Sequence, residues 1–271
     1  MAEKNVKPED RVLNVIPSRD PEKDWTFQHA VASDILAAPA EIPPSVDLRA
    51  SWWKIGDQLR TGSCVGWGTA DAVLRWHCVK KGILSQNTLV SVRFPWMAAK
   101  EMDTFTSYPS TMLEDEGTSL KAALDIIRKY GCVTVVEVPF EPSILYPGDT
   151  RVFFAIASKF KIANYFNLRP PGASWDDTKN NWRTWLATKG PILTRLGVDA
   201  TWDNAKQTQG TLDIYKPNTV RGGHCVALVG YTPDRFVVRN SWGPEWGDQG
   251  FGYASEAYAQ AAFTEAYGIT L

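Results

Sequence analysis

Three histidines and four cysteines are the side chains of this 271-residue chain best suited to nucleophilic or acid–base chemistry near neutral pH. Cys64 closes the run Thr-Gly-Ser-Cys and stands at the start of a segment with helical apolar spacing: Val65, Thr69, Ala72, Val73 and Trp76. With Ser63 as the N-cap, Cys64 falls in the first turn, where free backbone N–H groups and the positive end of the helix dipole favour a thiolate. The thiol is therefore expected to have a lowered pKa. His77 lies thirteen residues further along the same predicted helix, roughly 20 Å away at 1.5 Å per residue, so these two cannot pair. It reads as a half-buried helix residue, and His29, near the N-terminus, as an exposed one. His224 stands in Arg-Gly-Gly-His-Cys-Val-Ala-Leu-Val-Gly, a loop running into a buried strand that can present a base to a cleft. Asn240 ends the run Val-Val-Arg-Asn. Its carbonyl can accept a hydrogen bond from one imidazole nitrogen and leave the other for a thiol. Trp242 is placed to cover that bond and exclude water.

The elements that must hold these residues can be read from pattern. Helices are predicted from about Cys64 to Lys81, with Gly82 as the stop, from Thr118 to Tyr130, and from Asp176 to Lys189 with Ser174 nearby as a cap. After Gly190-Pro191 the texture changes to short apolar runs at Ile192–Val198, Cys225–Tyr231 and Phe236–Asn240, separated by turn residues, which read as strands. A helical first half and a strand-rich second half predict an α+β protein of two lobes. Residues 1–41 carry mixed charges and scattered prolines (Pro8, Pro17, Pro21, Pro39). They read either as a loosely packed arm or as a short pro-segment strapped over the site.

Composition narrows the function classes. Twenty-nine basic residues against thirty acidic ones give a net charge of −1, with no electrostatic footprint for nucleic acid or an anionic membrane. No apolar run reaches the ~18 residues of a spanning helix, and the charged start MAEKNVKPEDRV leads into no signal core. Cys64, Cys78, Cys132 and Cys225 lack metal-ligand spacing and suggest neither a zinc site nor a disulfide framework. A cytoplasmic location, or export without a recognisable signal, is expected, with no metal or cofactor.

Taken together, Gln58 six residues before Cys64, then Gly-Gly-His, then Asn-Ser-Trp-Gly, resemble the papain family of cysteine peptidases. Pro44-Ser-Val-Asp-Leu-Arg49, Gly190-Pro191 and Trp246-Gly-Asp-Gln-Gly-Phe-Gly-Tyr253 add to the likeness, which covers about residues 42–271. It implies a papain-like two-lobe fold, with a helical lobe mainly over 50–185, a β-rich lobe mainly over 186–271, and the site in the cleft between them. It also implies peptide-bond hydrolysis through a thioester on Cys64, with His224 as base and acid, Asn240 as orienter, and Gln58 with the Cys64 N–H as oxyanion donors. An acyltransferase or peptide ligase using the same thioester is the alternative. Substrate contacts would fall on Gly117, Arg195, Cys225 and Trp242, the partner being a peptide or protein. Two departures stand out: Val65 replaces the usual aromatic after the nucleophile, and Thr61 replaces a cysteine that is usually disulfide-bonded. The second makes the chain resemble bacterial members more than secreted animal or plant ones.

Overall fold

The computed structural model describes residues 6–37, 41–103, 110–141 and 148–271; Pro39 lies outside these. Its centre is an eight-stranded sheet: β1 (Val46–Asp47), β2 (Asn164–Asn167), β3 (Ile192–Val198), β4 (Thr211–Leu212), β5 (Gly222–Tyr231), β6 (Arg235–Arg239), β7 (Phe251–Ser255) and β8 (Phe263–Thr270). The order is β2-β8-β3-β5-β6-β7-β4, with β1 paired to the end of β5, and every pairing is antiparallel except β4 with β7. The three strands predicted from sequence are β3, β5 and β6. β5 starts three residues earlier than predicted, at Gly222, so His224 is inside the ladder opposite Leu196 rather than in the loop before it.

Because strand side chains alternate, β3 and β5 feed two separate apolar cores. Leu193, Cys225, Ala227 and Val229 join one core with Val65, Val73, Leu124 and Ile127, the inward residues of the helices that start at Cys64 and at Leu120. Ile192, Val226 and Leu228 join the other, with Trp182, Trp185, Trp202 and Phe263. Helices α4 (Arg93–Met102) and α5 (Leu120–Lys129) back the first core; α7 (Trp175–Thr188) and α8 (Glu256–Ala262) back the second. The caps follow the local rules: Ser119 Oγ accepts the Ala122 N–H, and Ser174 Oγ accepts the Asp177 N–H. Residues 164–185, expected with the helical lobe, pack instead on the strand-rich side, because β2 pairs with β8 and the α7 indoles fill the second core.

The helix that begins at Cys64 departs from the reading. It consists of α2 (Cys64–Gly66), a π-helical stretch from Trp67 to Leu74, and α3 (Arg75–Lys80). Nearly every residue in it is buried, so no polar face marks the helical period in the sequence. Ser63 makes no side-chain cap; its hydroxyl meets that of Thr61. At Gly68 the helix lies hard against β5, where a Cβ would come within 2.5 Å of Cys225 Sγ. That approach brings the Cys64 turn to the strand bearing His224. A buried charge network fixes the same junction: Asp71 binds Arg75 through one oxygen and Arg239 through the other at 2.8 Å. Arg239 in turn donates to Lys54 O and lies over the Trp53 ring.

The second core depends on Trp182, which is fully buried, contacts Trp175, Phe236 and Phe263 edge-on, and donates its indole N–H to Leu168 O. Trp182→Ala should cost about 3–5 kcal/mol of stability, read as a lower urea midpoint with an unchanged slope. A loss below about 1 kcal/mol would show that the sheet does not need this core.

Candidate active site

Cys64, His224, Asn240 and Gln58, predicted to act together, are all buried and converge where the Cys64 helix meets β5 and the end of β6. His224 Nε2 is 2.8 Å from Asn240 Oδ1. That oxygen also accepts the Ser241 N–H at 2.8 Å, so it is an acceptor and Nε2 carries the proton. The basic lone pair is then on Nδ1, which is buried and has no hydrogen-bond partner. The backbone N–H groups of Cys225, Val65 and Cys64 itself favour the Cys64 thiolate, which sets the sulfur near the peptide joining His224 to Cys225. Trp242 does cover the imidazole, with ring centroids 5.0 Å apart, and Trp202 closes the other side edge-on at 5.7 Å. The second indole was not foreseen. It sits in a 3₁₀ turn at Ala200–Asn204 that no motif marks, and it reaches the site through stacking on Trp246.

Gln58 is held from both sides. Its backbone N–H donates to Ser241 O, and its Oε1 accepts the Ser241 hydroxyl at 3.0 Å. This orients Nε2 outward, where it donates to Thr61 O at 3.0 Å and to Val12 O at 3.4 Å. Val12 belongs to the N-terminal segment, which is not a loose arm where it is described. From Arg11 to Ser18 it runs extended through the cleft. The Arg11 guanidinium pairs with Asp57, donates to Leu59 O and Trp242 O, and lies 5.9 Å from the Trp242 ring. Asn14 crosses Gly117, whose missing Cβ leaves room for the Asn14 carbonyl. The Val15 N–H donates to Gly223 O, and Val15 O accepts from Arg195 Nε. Three of the four residues expected to contact substrate are therefore reached by this segment, Gly117 and Arg195 directly and Trp242 under Arg11; the fourth, Cys225, is buried with its sulfur turned onto Gly68.

This coverage reverses one expectation. The Cys64 thiol is pushed up to about 12 rather than lowered, because burial outweighs the backbone N–H groups and Arg195 that favour the thiolate. Burial likewise pulls His224 down to about 4, against the opposing hydrogen bond to Asn240, with Arg11 and Arg221 adding repulsion. With the cleft covered, the pair rests as neutral thiol and neutral imidazole. His77 is more buried than expected and pushed down to about 3 by desolvation; it stacks edge-on against Trp76, away from this site. His29 is exposed as predicted, and its Nδ1 caps α1 (Phe27–Ala32) at Thr26. The four cysteines are free thiols.

A family model described as papain family cysteine protease matches residues 42–267. Among curated relatives, Peptidase 1 of Psoroptes ovis is 25% identical over 219 residues, covering 78% of this chain and 60% of the relative. Cathepsin L of Sarcophaga peregrina is 27% identical over 232 residues, covering 81% of this chain and 61% of the relative. The chain thus spans about 60% of the length of these two relatives. In fold it is similar to xylellain, a cysteine protease from Xylella fastidiosa, with a TM-score of 0.74 at 21% identity over 100% of this chain and 99% of that one. It is also similar to digestive procathepsin L2 of Tenebrio molitor, with a TM-score of 0.67 at 19% identity over 98% and 81% of the two chains.

The depressed His224 has a measurable consequence. Its folded pKa of about 4 lies below the ordinary 6.5, so the neutral ring stabilises this arrangement fully above about pH 6.5 and progressively less as pH falls through 4. The limit is roughly 3 kcal/mol below pH 4. Thermal unfolding of the full chain and of His224→Gln, compared from pH 7.5 to 4, should show the larger drop in Tm for the unsubstituted chain. Parallel curves would refute this reading.

Proposed function

The chain belongs to the papain family of cysteine proteases, and on that premise we propose that it hydrolyses peptide bonds through a thioester formed on Cys64. The observation that carries the reading is the 2.8 Å bond between His224 and Asn240, which leaves a basic Nδ1 beside the peptide that contacts the Cys64 sulfur. In an open cleft, water and the backbone donors stabilise the thiolate, and the proton passes to Nδ1. The thiolate attacks the substrate carbonyl; the oxyanion is met by the Gln58 amide and the Cys64 N–H. His224 then gives its proton to the leaving amine and, with Asn240 still holding Nε2, takes one from the water that releases the acid. Gly117, Arg195 and Cys225 flank the side before the scissile bond, and Trp242 the side after it.

The N-terminal segment serves in this reading as an intramolecular block. The Val12 carbonyl within reach of Gln58 Nε2 stands where a substrate oxygen would be held. Its chain direction supports inhibition without cleavage: Arg11 lies at Trp242 and Val15 at Arg195, so the segment runs opposite to the substrate polarity given above. The block has two parts. Residues 6–16 lie across the cleft. Residues 24–36 are built into the body, through Asp24 to Tyr267 Oη, the Trp25 carbonyl to the Asn167 N–H, and the buried Ala30 and Leu36. A bacterial-type member acting in a reducing compartment fits the four free thiols and the likeness to xylellain.

Cys64→Ala should abolish cleavage of an unfolded protein substrate, and Gln58→Ala should lower kcat about 10²–10³-fold; cleavage persisting in Cys64→Ala rules the mechanism out. Removing residues 1–16 should raise turnover of a short peptide at least tenfold, with a modest fall in Tm because Val15 leaves the first core. Removing residues 1–41 should lower Tm as well, since it strips Leu36 and Ala30 from the second core. Equal rates for the full chain and the chain without residues 1–16 would eliminate the block.

A further inference from the structure

Past Gly223 the cleft ends at two opposed charges on neighbouring strands: Arg195 on β3 and Glu265, its register partner on β8. Their side chains are only 17% and 12% exposed, and Arg195 Nε is 3.9 Å from Glu265 Oε1, close enough to attract but too far for a direct hydrogen bond. What fills the gap is amide groups from the N-terminal segment. The Val15 carbonyl accepts from Arg195 Nε at 3.2 Å, and the Ser18 N–H donates to Glu265 Oε1 at 3.1 Å. Glu265 Oε2 is buried with no hydrogen-bond partner, while the far end of Arg195 is held by Thr264 Oγ1. A cavity of about 380 Å³ opens beside the pair, lined also by Pro17, Pro170 and Arg169. Arg169 is engaged elsewhere, donating to Ala259 O and Gln260 O. When residues 6–16 leave the cleft, Arg195 loses the Val15 carbonyl, while Glu265 keeps the Ser18 N–H on Oε1 and its Oε2 remains buried without a partner.

The chemistry of the pair then limits what can replace them. A cationic side chain would be drawn to Glu265 and repelled by Arg195 a few ångströms away, and an anionic one the reverse, so attraction and repulsion largely cancel. An aliphatic side chain would bury a donor and an acceptor without partners. A carboxamide is neutral and carries an acceptor and donors on one planar group, the same two functions that Val15 and Ser18 supply together. We infer that Arg195 and Glu265 form a specificity pair that selects a glutamine or asparagine at the substrate residue, before the scissile bond, whose side chain reaches them. This rests on the cleft reading proposed above, and it assigns Glu265 a role that no motif in the sequence marks.

The test separates the pair from the chemistry. Full-length protein carrying Cys64→Ala to prevent cleavage and Arg11→Ala to loosen the segment is titrated with fluorescent peptides that differ only at that residue: Gln, Leu, Glu or Lys. The Gln peptide should bind at least tenfold more tightly than the other three. Adding Glu265→Gln should shift the preference to the Glu peptide, and adding Arg195→Gln should shift it to the Lys peptide. These opposite shifts are a readout that simple loss of folding cannot produce. Tightest binding of the Leu peptide, equal or absent binding of all four, or a ranking unmoved by both substitutions overturns the inference. Cleavage by the Arg11→Ala protein with Cys64 intact is measured alongside. Selective binding without cleavage would count against the Cys64 mechanism and leave the pair standing.

Discussion

The hydrogen bond from His224 to Asn240 is the contact around which the rest of this molecule is arranged. It joins the third strand position of β5 to the residue just after β6, and it can form only if those strands keep their register across the Leu228–Gly230 bulge. Two indoles seal it, so the imidazole cannot exchange its partner for water. Sealing has a physical price in charge: a buried imidazole resists protonation. The same enclosure that fixes the tautomer therefore keeps the base weak until the cleft opens.

Next to it, the Asp71 network solves a different problem. The helix start bearing Cys64 and the strand end bearing Asn240 come from distant parts of the chain, and apolar packing alone is nondirectional. One carboxylate shared by Arg75 and Arg239 gives that junction a fixed geometry, with Arg239 immediately before Asn240. Buried ion pairs are weak evidence of stability because desolvation offsets the attraction. Here two guanidiniums share one carboxylate, and Arg239 is also satisfied by a backbone carbonyl and an indole face. The network's contribution is best understood as alignment of the two catalytic halves.

Burial removes solvation from Cys64 and His224, and each moves toward its neutral form; for the thiol this is opposite to the direction that the helix dipole favours. The dipole is a local field of the first turn, whereas desolvation is set by whatever lies on top. When the two compete at a fully enclosed thiol, burial prevails.

The sequence by itself determined the candidate reacting residues and most of the elements that carry them. Cysteine at a helix start, histidine beside a buried strand and asparagine at a strand end are each marked by local spacing, and local spacing is what fixes helices, strands and their caps; only the structure moved His224 into the ladder. The π-helical stretch after Gly66 escaped because an all-buried run carries no polar face to reveal its period. Tertiary structure alone decided that Val12 would sit against Gln58, that Trp202 would wall His224, that Asp71 would hold Arg239, and that Glu265 would face Arg195. These contacts join residues 22 to 168 positions apart, or, for Arg195 and Glu265, 70 positions apart. No short-range pattern encodes them, because they exist only once two cores have closed on the faces of one sheet. The charge state of Cys64 belongs with them: its position was legible from its neighbours, but it keeps its proton because burial in the folded chain removes the water that would stabilise a thiolate.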